Sequence, residues 1–105
     1  MVEMKIFWLK PALDDLRKIR AYYTDNAGLI STGKRIRKIT ESISCLSANP
    51  FLGKEAVEIK RPSQQYRYLV CGDYKVFYYI KNNVVKIAML WDCRQNPIRL
   101  IDKFK

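Results

Sequence analysis

The second half of the chain places Lys54, Lys60, Arg61, Arg67, Lys75, Arg94 and Arg99 among Tyr66, Tyr68, Tyr74, Tyr78 and Tyr79. Cations interleaved with aromatic rings can hold phosphates and stack bases. The same pattern describes cross-strand packing, with tyrosines half in a core and Lys and Arg stems lying along apolar surface. Spacing alone does not choose between the two. A further basic set, Arg17, Lys18, Arg20, Lys34, Arg35, Arg37 and Lys38, has the spacing of a solvated helix face.

Histidine is absent, which removes His-based acid–base catalysis, the Ser-His-Asp and Cys-His arrangements and most zinc chemistry. Asp14 and Asp15 belong to a helix start. Glu55, Glu58, Asp73, Asp92 and Asp102 are too scattered for a metal site or a carboxylate dyad. Only four glycines exist, and no phosphate-cradling loop. Cys45, Cys71 and Cys93 match no metal or redox motif and read as reduced, mostly buried thiols. No cofactor or metal is expected. Twenty Lys and Arg against ten Asp and Glu give +10, a surface attracted to nucleic acid, acidic protein or anionic lipid. The first ten residues lack the apolar run of a signal peptide, and no stretch is long enough to span a bilayer. The expectation is therefore a cytoplasmic protein.

The elements that must carry these side chains fit one domain, residues 1–105, with one modest core. Met4–Leu9 reads as a short strand. Pro11 suits the first turn of a helix, on which Ala12, Leu16, Ile19 and Tyr23 share a face. Thr24–Gly28 breaks the pattern. A second helix follows from about Leu29 to Ala48, with Ile36, Ile39, Ile43 and Leu46 inward, and Asn49-Pro50 stops it. Phe51–Pro62 reads as a loop with room for one short strand, Ala56–Ile59. Tyr66–Cys71, Tyr74–Ile80 and Val84–Trp91 read as strands, punctuated by Gly72-Asp73 and Asn82-Asn83. The last two are apolar on both alternating sets, as in a sheet covered on both faces. The order implies α+β: an N-terminal strand, then an antiparallel two-helix hairpin packed on a curved antiparallel sheet. The hairpin seam is expected to include Leu16 and to meet Val76, Tyr78, Ile87 and Met89.

Four motifs in this order resemble the RelE/ParE superfamily, the toxins of type II toxin–antitoxin modules, also called plasmid stabilisation proteins. Ala12, Asp15, Leu16, Ile19 and Tyr22 match its A-x-x-D-L-x-x-I-x-x-Y. Leu46, Pro50 and Gly53 match L-x-x-x-P-x-x-G. Arg67, Leu69, Tyr74, Val76 and Tyr78 match R-x-L followed by Y-x-I/V-x-Y. Arg94 matches the basic residue that ends the last strand.

The resemblance implies a cognate antitoxin whose extended, often acidic segment wraps the toxin, which suits the +10 charge. Operator DNA would be met only through the antitoxin complex. Activity divides the family. RelE-like members are mRNA interferases that cut mRNA on the ribosome without a metal, and Lys75 and Arg94, with Arg67 nearby, fall on basic positions of that site. Arginine cannot serve as the base. The family's nucleases usually carry Tyr or His-Tyr at or after the last strand. Here Arg94 is followed by Gln95-Asn96-Pro97-Ile98-Arg99-Leu100. The resemblance thus implies a ParE-like toxin that poisons DNA gyrase, with Lys54, Lys60, Arg61, Arg67, Tyr74, Lys75, Arg94 and Arg99 as the surface for target or antitoxin. The alternatives are a RelE-like endoribonuclease and a small basic nucleic-acid-binding module without toxicity.

Overall fold

In the computed structural model, which describes residues 3–59, 64–94, 99 and 104, a five-stranded sheet carries a long bent helix on one face. The strands are β1 (Lys5–Trp8), β2 (Lys54–Glu55), β3 (Arg67–Cys71), β4 (Tyr74–Lys81) and β5 (Val84–Asp92). The helix, α1 (Lys10–Ser44), runs on into a 3-10 turn at Cys45–Ser47. The sheet order is β1-β5-β4-β3-β2. The fold class is α+β, as the sequence implies. Among the described residues, no helix is long and apolar enough to cross a membrane.

Extended Leu9 leads into α1, and Pro11 occupies its first turn, where a missing N–H costs nothing. The helix starts at Lys10, so Asp14 and Asp15 lie beyond the first turn and do not act on its dipole. Asp14 instead pairs with Arg17 at 3.1 Å. Where the sequence places a break over Thr24–Gly28, the structure concentrates it in one residue. Gly28 takes φ 85° and ψ 168°, a conformation that side chains resist. Beyond it the chain folds back, because the Arg35 guanidinium lies 4.4 Å from the centre of the Tyr23 ring. Along a straight helix those residues would stand about 18 Å apart.

One face of the sheet meets α1. Ala12, Ile19, Tyr23, Ile36, Ile39, Ile43 and Leu46 pack there with Val76, Tyr78, Val85, Ile87 and Leu90. On the other face Phe77, Tyr79, Met89 and Trp91 are covered by Ala56, Ile59, Tyr66 and Phe104. This double cover explains why β4 and β5 are apolar at successive positions. Asn82 and Asn83, both at positive φ (52° and 61°), close the tight turn between them.

Several expectations are corrected. Met89 does not meet α1. Phe77 pairs with Met89 but Tyr78 with Ile87, which leaves Ala88 as an extra residue in β5. Such a bulge reverses the side-chain alternation beyond it, so Met89 joins the far face and Leu90 the near one. Leu16 is only partly buried against the seam. The short strand is Lys54–Glu55 rather than Ala56–Ile59, because Ala56 and Ile59 turn inward to cover the far face. The sheet is antiparallel from β2 to β5, but β1 pairs parallel with β5, an arrangement open to a strand far away in sequence. Of the cysteines, only Cys71 is buried.

The Pro50–Gly53 turn is fastened to the sheet by one hydroxyl. Tyr78 donates to the Pro50 carbonyl at 2.9 Å and accepts the Gly53 N–H at 2.8 Å. Arg67 donates to the Gly53 carbonyl at 2.8 Å and lies 5.0 Å from the centre of the Phe51 ring. A Cβ at Gly53 would stand 2.6 Å from the Tyr78 hydroxyl and 2.8 Å from the backbone carbonyl of Tyr68. Only glycine fits. Gly53→Ala should therefore destabilise by about 1–3 kcal/mol through overpacking. Tyr78→Phe should cost about 1–3 kcal/mol by stranding two backbone groups. Ile39→Ala, at a side chain only 2% exposed, should cost about 2–5 kcal/mol. Urea unfolding checks all three, and a Gly53→Ala variant as stable as the parent would contradict the close approach.

Candidate functional site

Arg67, Lys75 and Arg94, the basic residues a metal-free nuclease would need together, are each in contact with another group of the chain. Arg67 starts β3 and is tied to the Gly53 carbonyl. Lys75 lies in β4 on the face away from α1, with its ammonium 4.6 Å from the centre of the Tyr68 ring. Arg94 follows the end of β5 on the α1 side. Its guanidinium grips the Asp92 carboxylate through Nε at 2.9 Å and through a terminal nitrogen at 2.8 Å. The Arg94 backbone N–H also donates to Asp92 at 2.9 Å. That two-point geometry fixes the orientation of the guanidinium on the carboxylate.

Of the wider set, Lys54 is exposed on β2 opposite Tyr68, and Arg99 is exposed. Tyr74 is buried beneath α1, its hydroxyl 3.5 Å from that of Tyr23. Lys60 and Arg61 lie outside the described residues.

Two open grooves flank this tyrosine pair, and Tyr74 lines both. The first, about 600 Å³, runs between the first arm of α1 and the end of β5, among Asp15, Lys18, Tyr22, Asp92 and Arg94. The second, about 590 Å³, runs between the second arm and the β3–β4 turn. Lys34, Arg35, Arg37 and Lys38 stand around it above Ile39, Cys71 and Tyr74. Among the described residues, no cluster of three or more Cys, Asp or Glu side chains could hold a metal ion.

Sequence reasoning missed two acids that shape the first groove. Asp15 accepts the backbone N–H of Leu90 at 3.1 Å. β1 pairs with β5 only as far as Ile87, so this N–H lies past the last strand partner and the carboxylate takes its place. Asp92 neutralises Arg94. The i, i+2 spacing of an acid and an arginine at a strand end was the available signal.

The electrostatics follow the geometry. The hydrogen bond from Arg94 holds the Asp92 carboxyl below the usual carboxylate range, and the same contact raises Arg94. Burial, reinforced by Tyr23, pushes the Tyr74 hydroxyl well above its ordinary value. Burial also raises Tyr78, opposed by the Gly53 N–H and by Arg67. Partial desolvation raises the thiol of Cys93, although the residue is exposed, which keeps it from acting as a ready nucleophile.

The family model described as ParE toxin of type II toxin-antitoxin system, parDE, matches residues 6–97. Among solved structures, the chain is similar to the chromosomal ParDE toxin–antitoxin system from P. aeruginosa. The TM-score is 0.69 at 22% identity, over 84% of this chain and 94% of that one. It is also similar to the archaeal RelE-RelB complex from Pyrococcus horikoshii, with a TM-score of 0.62 at 15% identity, over 90% of this chain and 99% of that one. At these identities the likeness shows the shared fold. No curated protein matches the sequence.

The raised tyrosines fix a pH dependence. A hydroxyl that ionises above pH 10 in the folded state, but near 10 when unfolded, favours the fold below that pH. The contribution is lost as pH rises further, because the unfolded chain then releases protons that the native one retains. The urea midpoint should hold up to about pH 10 and fall above it. It should fall less steeply in Tyr74→Phe. Parallel curves for parent and variant would contradict the burial of this hydroxyl.

Proposed function

The chain belongs to the ParE toxin family of type II toxin–antitoxin systems, and on that footing we propose that it arrests growth in the cytoplasm by binding a protein target, DNA gyrase. A cognate antitoxin neutralises it.

The observation that carries the choice is that Arg67 and Arg94 are engaged by other groups of the chain, while Lys75 rests on the Tyr68 ring. A metal-free ribonuclease must gather cations around one phosphate and place a proton donor and acceptor beside it. Here Arg67 is spent on the Gly53 carbonyl and Arg94 on Asp92, while Lys75 points to the other face of the sheet. The chain contains no histidine, and no tyrosine follows Arg94. A placed acid–base group is worth about 10²–10⁴-fold, so this arrangement favours binding over cleavage. The net charge of +10 favours an acidic antitoxin segment by electrostatic steering.

Inducing the chain in a bacterial host tests the reading. The expected result is growth arrest with an SOS response and gyrase–DNA cleavage complexes, mRNA remaining intact and co-expressed antitoxin restoring growth. Codon-phased mRNA cleavage abolished by Lys75→Ala with Arg94→Ala would replace this reading with ribosome-dependent RNA cleavage.

A further inference from the structure

We infer that two copies of this chain exchange their N-terminal units, β1 and the first arm of α1, by straightening the helix at Gly28. In the resulting dimer the β1 and first arm of each copy seat on the sheet and second arm of the other. The exchange is independent of which target the toxin binds.

The topology makes the unit detachable. β1 lies at the edge of the sheet, so its departure leaves β2 to β5 paired with one another. The unit is held by a parallel ladder to β5, by two hydrogen bonds between Met4 and Ser47, by the Asp15–Leu90 hydrogen bond and by the Tyr23–Tyr74 contact. Each of these forms as well between two copies as within one. The covalent connection is Gly28 alone, and the reversal there uses no loop, since α1 runs helical up to it and helical beyond it. So short a hinge favours exchange, because opening relieves the turn while a second copy restores the core contacts.

Gly28 sets the balance. At φ 85° and ψ 168° it occupies a region essentially closed to other residues. Returned to helical torsions, it makes α1 one helix of 35 residues, about 52 Å long. The side chains beside the hinge suit this open form. Leu29 and Ile30 are 77% and 80% exposed, and Tyr22 is 52% exposed. On a straight helix Tyr22, Leu29 and Gly33 stand at i, i+7 and i+11, on one face. Among the described residues, a Cβ at Gly33 would meet nothing within 4 Å, so a single copy gives this helix-interior glycine no packing reason. Two straightened helices crossing at Gly28 bury that face against each other, and the missing side chain lets them approach closely. The first groove is then built by two copies. Asp15, Lys18 and Tyr22 come from one, and Leu90, Asp92 and Arg94 from the other.

Light scattering and disulfide trapping on the purified full chain provide the test. The methyl added by Gly28→Ala meets no atom within 4 Å, so this variant acts through the backbone alone. It should double the mass measured for the parent at the same concentration. Inserting Gly-Ser-Gly-Ser after Gly28 relaxes the turn and should keep the chain monomeric. Met4→Cys with Ser47→Cys, made together with Cys45→Ser and Cys93→Ser, sets two thiols where the backbones are hydrogen-bonded at 2.9 Å. Oxidised without reductant, this cysteine pair should link Gly28→Ala into a covalent dimer and should close within single chains in the insertion variant. A folded, monomeric Gly28→Ala overturns the exchange. A Gly28→Ala dimer whose disulfides close only within chains overturns it too, since its copies then sit side by side. Should Gly28→Ala fold poorly, the cysteine pair with Gly28 intact is refolded from urea at rising protein concentration. Bonding should then pass from within chains to between them, and bonding within chains at every concentration overturns the exchange.

Discussion

The hydroxyl of Tyr78 holds the chain together at the point where helix gives way to sheet. It sits fully buried in the near core and satisfies Pro50 and Gly53 at once. Without it the turn after α1 would leave a carbonyl and an N–H with no partner, at a cost of about 1–3 kcal/mol. The contact demands a glycine at 53, because no side chain fits between the Tyr78 ring and the Tyr68 carbonyl. It also draws in Arg67 from the neighbouring strand. A proline, a glycine, an arginine and a tyrosine scattered over nearly thirty residues of sequence are thus one structural unit.

That unit has a consequence for function. Arg67 has the residue type a phosphate would need, yet its guanidinium is engaged by a backbone carbonyl and an aromatic ring. Arg94 is likewise taken by Asp92. Among the described residues, the cations without carboxylate partners around a groove are Lys18 on the first arm of α1 and Lys34, Arg35, Arg37 and Lys38 on the second. Unpaired charge beside a groove is therefore concentrated on the helix, while Arg67 on β3 and Arg94 after β5 are tied to other groups of the chain. A molecule built this way is suited to binding another protein.

Much of the fold was legible in the sequence because its signals were local. The helical period of Ile36, Ile39 and Ile43 and the Asn82-Asn83 turn each announce their own element. What escaped depends on distant partners. The parallel pairing of β1 with β5 joins segments some eighty residues apart, and hydrophobic patterning carries no strand direction. The bulge at Ala88 shifts Met89 to the far face, although no residue type marks it. The site was less legible than the fold. Residue type identified Arg67, Lys75 and Arg94 as cations of interest. Only tertiary structure shows that each is occupied elsewhere, and that the solvated face of α1 borders an apolar groove.

Pro50, Gly53, Arg67 and Tyr78 form one energetic unit that holds the turn after α1 to the sheet. A double-mutant cycle on Arg67→Met and Tyr78→Phe, read by urea unfolding, measures it directly. Both side chains hold the same glycine, so removing one should lessen the effect of removing the other, with a coupling of about 0.5–3 kcal/mol. Strictly additive losses would contradict the account and free Arg67 for a role beyond the fold.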